Sequence, residues 1–258
     1  ERKLPSGTYR FRGTVYADGR RTAMIDTKTD YEGDPTIDEL PADSSLVLSK
    51  QLISVSTQPG GTRTSILQVQ NASEDGLEIT ASAALPRVLQ KAKHEETAGA
   101  ELSAVSFVKM RPSTFSLRGG AKQNIVLVSR LPKVFGETPA RSNYYAHIKL
   151  EPRYVGGQSA GSTSALLHLD NLDIENRAKA EVRDIDIVLD DGHMITAELQ
   201  NVGNRHFQPS CRAILQTGMG ETVAAFELQG QDGLLLPFEA RQFAGTMNLQ
   251  QVESGRYI

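Results

Sequence analysis

Turn signals recur every ten to fifteen residues along this chain, and the segments between them are short and rich in β-branched residues. That spacing leaves no room for a bundle of ordinary helices and matches the strands of a β-sandwich. Residues 62–71 are the clearest case. Arg63, Ser65, Leu67 and Val69 fall on one face and Thr64, Ile66, Gln68 and Gln70 on the other, bounded by turn clusters at 58–61 and 71–76. The same reading places strands at 45–56, 77–84, 103–110, 123–129, 144–150 and 165–169. After a polar stretch, strands resume at 180–189, 194–201, 212–217, 221–228, 233–236 and 241–249. Residues 86–100 hold good helix formers and read either as a short helix or as a polar loop.

Composition narrows the function classes. In 258 residues, 39% hydrophobic content is enough for packed cores, and 28 Lys+Arg against 31 Asp+Glu gives a net charge of −3. A nucleic-acid binder would carry a basic footprint, so that class is not expected. No run approaches the roughly 18–20 apolar residues that span a bilayer. The single cysteine, Cys211, excludes an intramolecular disulfide framework and a multi-cysteine zinc site; it alternates with Ala213 and Leu215 as a buried strand residue would.

The two ends repeat one another. Leu4-Pro-Ser-Gly-Thr-Tyr9 near the start and Val252-Glu-Ser-Gly-Arg-Tyr257 at the close share Ser-Gly-x-Tyr. The first copy runs into an alternating strand, Tyr9, Phe11, Gly13, Val15, then an Ala17-Asp-Gly-Arg20 turn and a return strand at 22–26, which is a hairpin. With no Met and no secretory leader at Glu1, the chain reads as a processed protein or as a piece of a longer one. On the repeat reading, 1–31 is the last hairpin of a preceding domain and 179–258 is a domain lacking that hairpin. On the other reading the match is coincidence.

Candidate chemical sites are few. The histidines, at 94, 147, 168, 193 and 206, never adopt a metal-ligand spacing, so no metal and no cofactor are expected. Asp190-Asp191-Gly192-His193 reads as a cation loop or as an ordinary hairpin turn, and the turn is the simpler account. Gly157-Gln-Ser-Ala-Gly161 has the letters of a nucleophile elbow without the strand-to-helix context that would expose a serine, so no catalytic residue is expected. The basic residues Arg111, Arg118, Lys122, Arg130, Lys133 and Arg141 read as a solvated face or as a surface for an anionic partner.

The most specific stretch is 110–148. Pro112, Phe115, Leu117, Gly120, Gln123 and the pair Tyr144–Tyr145 stand in it as a Pro-x-x-Phe-x-Leu segment, a Gly-x-x-Gln turn and a strand opening on two aromatics. This resembles the N-terminal immunoglobulin-like domain of periplasmic pilus-assembly chaperones, over about 45–169. The runs at 199–206 and 236–243 are similar to those of the bacterial Ig-like domain that often follows. Period-2 alternation independently puts Phe115 and Leu117 on one face and places Tyr144 and Tyr145 on opposite faces. The resemblance implies a periplasmic or cell-surface protein and a basic pair that anchors a client terminus. Lys50 stands for the first of that pair. The second position holds Leu167-His168-Leu169-Asp170, with no lysine, and 44 residues precede the first strand.

The expected fold is therefore all-β: tandem immunoglobulin-like sandwiches at 44–169 and 179–258, preceded by a hairpin at 1–31 and an acidic linker at 32–43, and joined by a linker at 170–178. The expected function is non-catalytic and structural, through protein partners or self-association. Strand exchange through Tyr9, Phe11, Val15, Tyr257 and Ile258 would build a head-to-tail filament. The alternative is a chaperone that binds an extended client strand near Lys50, Leu167 and Leu169.

Overall fold

The stretch 45–56, expected as one strand, is two strands in two different sheets. The chain breaks at Ser49-Lys50-Gln51, where polar residues interrupt the apolar alternation, giving β3 (Leu46–Leu48) and β4 (Leu52–Thr57). The computed structural model describes residues 7–17, 20–31, 45–91, 101–136, 139–157, 159–188 and 193–247. The expected acidic linker, Asp190–Gly192, Tyr257 and Ile258 lie outside them.

β1 (Gly7–Ala17) and β2 (Arg20–Tyr31) pair antiparallel as the expected hairpin, longer than the sequence suggested. The first sandwich then uses β3, β4, β5 (Thr62–Asn71), β6 (Leu77–Ala84), β7 (Val108–Arg111), β8 (Thr114–Leu117), β9 (Lys122–Arg130), β10 (Asn143–Tyr154) and β11 (Thr163–Asn171). One sheet has the order β3-β5-β9-β7 and the other β4-β11-β10-β6-β8. β3 pairs antiparallel with β5, whereas β4 runs parallel to β11, so one segment laces both sheets together. The expected strand at 103–110 is instead a 3₁₀ turn, Val105–Phe107, followed by β7. In the 86–100 stretch, helix α1 occupies Arg87–Lys91.

Alternation supplies the core. Leu67 and Val69 of β5, Ile125 and Leu127 of β9, Ile148 and Leu150 of β10, and Leu167 and Leu169 of β11 are all fully buried between the sheets. Each such side chain contributes roughly 1.5–3 kcal/mol by leaving water.

The second sandwich uses β12 (Ala180–Val188), β13 (Met194–Asn201), β14 (Cys211–Gln216), β15 (Thr222–Gly230) and β16 (Ala240–Thr246), in the order β12-β13-β16-β15-β14. The expected strand at 233–236 is a loop held by a single bridge, Phe207 to Leu235. Cys211 is half-buried beside Ala213 against the second core.

A buried asparagine closes the same turn in each unit. Asn71 donates through Nδ2 to the carbonyls of Asp75 (2.7 Å) and Leu117 (3.2 Å), and its Oδ1 accepts from the Ser73 N–H (3.0 Å). Asn201 repeats this toward Arg205 (2.9 Å), Leu235 (3.0 Å) and the Gly203 N–H (2.9 Å). The main chain agrees: Gly120 N–H donates to Asn71 O, and Phe238 N–H to Asn201 O, each donor lying in the left-handed region at φ 71° and 67°. The two units are thus structural repeats at this corner, although their strands share little sequence.

Removing either amide takes away the two bonds it donates to carbonyls and the one its oxygen accepts from a backbone N–H. Asn71→Ala and Asn201→Ala are each expected to lower unfolding stability by about 2–3 kcal/mol in denaturant titration. A loss below about 0.5 kcal/mol for both would show that the clamp is dispensable.

Candidate functional site

The outward face of β10 and β11 meets the second sandwich, and the sequence dictates how. Successive strand residues face opposite ways, so Tyr144 enters the main core while Tyr145, fully buried, packs outward among Leu89, Leu102, Leu166 and Leu236. The Tyr145 hydroxyl accepts from the His206 backbone N–H (3.2 Å) and pairs with His206 Nδ1 (3.1 Å). The His206 ring stands edge-on to that of His168, with centroids 4.5 Å apart.

Asn143 ties this joint together. Its Oδ1 accepts from His168 Nε2 (2.6 Å), and its Nδ2 donates to Asn176 Oδ1 (2.6 Å) and to the Asn204 carbonyl (2.8 Å). Since the amide oxygen can only accept, His168 carries its proton on Nε2, and the buried Nδ1 keeps a lone pair with no partner among the described residues. The expected linker is docked as well: Asn204 Nδ2 donates to Glu175 O (2.9 Å), and Arg177 N–H donates to Asn204 Oδ1 (2.6 Å). A Cβ at Gly203 would stand 2.3 Å from the Arg177 carbonyl, so only glycine permits this approach.

Beside the joint lies a cleft of about 1620 Å³ between the sandwiches. Its walls carry Arg87, His147, Lys149, Glu151 and Arg153 from the first unit and Glu239 and Arg241 from the second. Arg241 is neutralised by Glu239 (2.6 Å) and donates to the carbonyls of Gln231, Gly233 and Leu234. The cleft therefore holds four cations against two carboxylates in a protein of net negative charge. Burial, then the Lys149 charge, lowers the His147 pKa below the ordinary imidazole range.

One strand edge opens onto this cleft. β4 pairs with β11 only from Leu166 onward, and the Leu166 N–H is met by Gln51 O at 2.8 Å. Over 163–165 that side of β11 has no partner strand among the described residues.

The sequence-derived candidates divide clearly. Lys50 is exposed next to the cleft-lining Gln51. Leu167 and Leu169 are fully buried in the sandwich core, because β11 alternates and its odd residues face inward, so their side chains do not meet a partner. In the β1–β2 ladder Tyr9, Phe11 and Val15 pair with Thr29, Thr27 and Ala23. Gly157–Gly161 belongs to the β10–β11 connection rather than to a strand-to-helix turn, with Ser159 bridged to Arg153. Among the described residues no three His, Cys, Asp or Glu gather as a metal site, and no helix is long and apolar enough to cross a membrane. Sequence reading missed Asn143, Asn176 and the Tyr145–His206 contact. The Asn-Val-Gly-Asn-Arg-His run at 201–206 was the available signal.

The joint answers to acid. Burial pushes the His168 pKa down to about 3, His206 and Arg205 adding to the shift and Asp170 opposing it. His206 is also lowered, by burial and then by Arg205, again against Asp170. A histidine whose folded pKa is depressed takes up its proton more readily when unfolded. Its stabilising share is therefore intact above the ordinary value of 6.5 and is lost as pH falls from there toward about 3. The thermal midpoint is expected to drop from pH 7 to pH 5, and His168→Gln, which keeps a donor for Asn143, to flatten that drop. An unchanged slope in the variant would exclude His168 as its source. Tyr145→Phe, which removes the hydroxyl bridging to His206, is expected to cost about 1–2 kcal/mol.

No protein-family model matches this chain, and no curated protein matches it. Solved structures do. The chain is similar to the YadV chaperone at 9% identity, with a TM-score of 0.48 over 78% of this chain and 85% of that one. It is similar to the E. coli chaperone DraB at 14% identity, with a TM-score of 0.44 over 83% and 89%. A third likeness is to a chain of the CsuC–CsuE chaperone–tip adhesion subunit pre-assembly complex of Acinetobacter baumannii, at 11% identity and a TM-score of 0.41 over 77% and 89%.

Proposed function

We propose that this protein is a non-catalytic, extracytoplasmic binding module that holds an extended polypeptide strand in the cleft between its two sandwiches, as a chaperone holds a client. The observation that carries this reading is the unpaired side of β11 at 163–165, opening onto a cleft whose walls carry Lys149, Arg153 and Arg87. A strand added there gains main-chain hydrogen bonds from the edge, while the cations select for a carboxylate or an acidic residue in the client. The fixed joint at Asn143 and Tyr145 keeps the edge and the cations in one geometry, which lowers the entropy cost of capture. Leu167 and Leu169 have no part in the contact; Lys50 stands next to the cleft-lining Gln51.

The test is peptide capture from a library of extended ten-residue peptides, in the periplasm or at the cell surface of an expression host and with the purified chain. Ser164→Pro removes an edge donor at a position where an edge strand tolerates proline. It and Lys149→Ala are expected to reduce capture about tenfold with the thermal midpoint nearly unchanged. Capture that survives both changes sinks the reading.

A second reading, head-to-tail strand exchange, is favoured by one observation. Val182, Ile185 and Ile187 of β12 are 53%, 60% and 50% exposed, although they pair directly with Leu199, Ala197 and Ile195 on the core face of β13. The outer edge of β14 is unpaired among the described residues, and hairpin β1–β2 pairs with no other strand there. A hairpin of a second copy laid over that face would cover it and propagate a filament. Light scattering across a concentration series decides: an open-ended ladder is the expected result, and a strict 28.1 kDa species removes this reading.

A further inference from the structure

On the far side of the first sandwich, away from the cleft, the outward face of the β3-β5-β9-β7 sheet holds a second cavity, of about 580 Å³. Three cations line it, Lys109, Arg130 and Lys133, and none of its lining residues is acidic. Among the described residues none of the three forms an ion pair. Its hydroxyls come from Thr62 and Ser106 and its apolar wall from Phe107, Val128 and Pro132.

The site is built on rigid parts. Arg130 lies directly across from Thr62 in the β5–β9 ladder, and Lys109 directly across from Val128 in the β7–β9 ladder. Lys133 follows a loop pinned at both polar groups of Leu131: Gly60 N–H donates to Leu131 O (2.9 Å), and Leu131 N–H donates to Gly61 O (3.1 Å). The Lys133 stem runs along Gly60, 3.5 Å from where a Cβ would stand. Phe107 is held edge-on to Tyr144, with centroids 5.1 Å apart, and Tyr144 is itself fixed by accepting the Arg141 N–H (2.7 Å).

Three converging cations with no carboxylate beside them leave an excess of charge that a single carboxylate would not balance. Two hydroxyls add neutral donors, and the Phe107–Val128–Pro132 wall offers an apolar surface to whatever carries the anion. We propose that this cavity binds a doubly charged oxyanion carried on an apolar body, that is, an organic phosphate ester. The sequence had marked Arg130 and Lys133 among six basic residues. Tertiary pairing separates them from Arg118 and Arg141 and adds Lys109.

The test uses the full chain with three probes: phenyl phosphate, inorganic phosphate and polyphosphate, followed by calorimetry and amide shift mapping. Phenyl phosphate is expected to bind about five- to tenfold tighter than inorganic phosphate, with shifts at Phe107 and Val128. Lys133→Ala and Arg130→Ala are each expected to weaken it about fivefold, and Lys122→Ala, on the same sheet face outside the cavity, less than about twofold. These side chains are exposed, so folding is not at stake. Equal affinity for the two small probes overturns the apolar wall. Binding of polyphosphate alone, weakened as much by Lys122→Ala as by Lys133→Ala, shows a diffuse basic face and overturns the site.

Discussion

The side-chain amide of Asn143, with the Tyr145–His206 contact beside it, joins the two halves of this protein. It sits at the first residue of β10, where the strand leaves the core of one sandwich and passes the other, and it bonds to β11, the connecting segment and the second unit at once. A buried amide left without partners would be costly, and here each of its polar atoms is met. The same contacts make the eight residues between β11 and β12 a docked strap rather than a tether. The cleft depends on this docking, since it has one wall in each sandwich.

The two sandwiches share a plan and diverge where it matters for interaction. In both, the strand after the asparagine corner lies beside the strand that ends in it: β9 beside β5 in β3-β5-β9-β7, and β16 beside β13 in β12-β13-β16-β15-β14. In the first unit β4, β10 and β11 cover the apolar face. In the second, β14 and β15 form a hairpin, and β12 keeps three aliphatic side chains in water. Exposed aliphatics beside an uncovered core are unfavourable for a lone domain, which is why they bear on association rather than on folding.

Charge is distributed against the average. The chain is acidic overall, yet cations outnumber carboxylates in the cleft and stand without any in the cavity on the far side of the first sandwich. In the cleft, Glu239 ties down Arg241, and Arg87, Lys149 and Arg153 line the opposite wall together with Glu151. Composition averages over the whole surface, so a net charge of −3 hides this arrangement.

Period-2 alternation was legible from the residues alone, because side-chain direction in a strand depends only on sequence parity. It located most strands, the N-terminal hairpin and the division of Tyr144 and Tyr145 between two faces. Parity does not say what lies opposite a face. It treated Ser45 to Ser56 as one strand, since the switch between sheets at Lys50 is set by which strands β5 and β11 offer as neighbours. It offered Leu167 and Leu169 as partner contacts, where packing against the facing sheet buries them. The Asn143–Asn204 and Tyr145–His206 contacts join residues 61 positions apart, Lys109 meets Arg130 and Lys133 from a different strand, and only the folded chain decides these groupings. The sequence by itself determined that this is a protein of sheets; the tertiary structure decided where those sheets open, because openings are made by distant strands that do or do not meet.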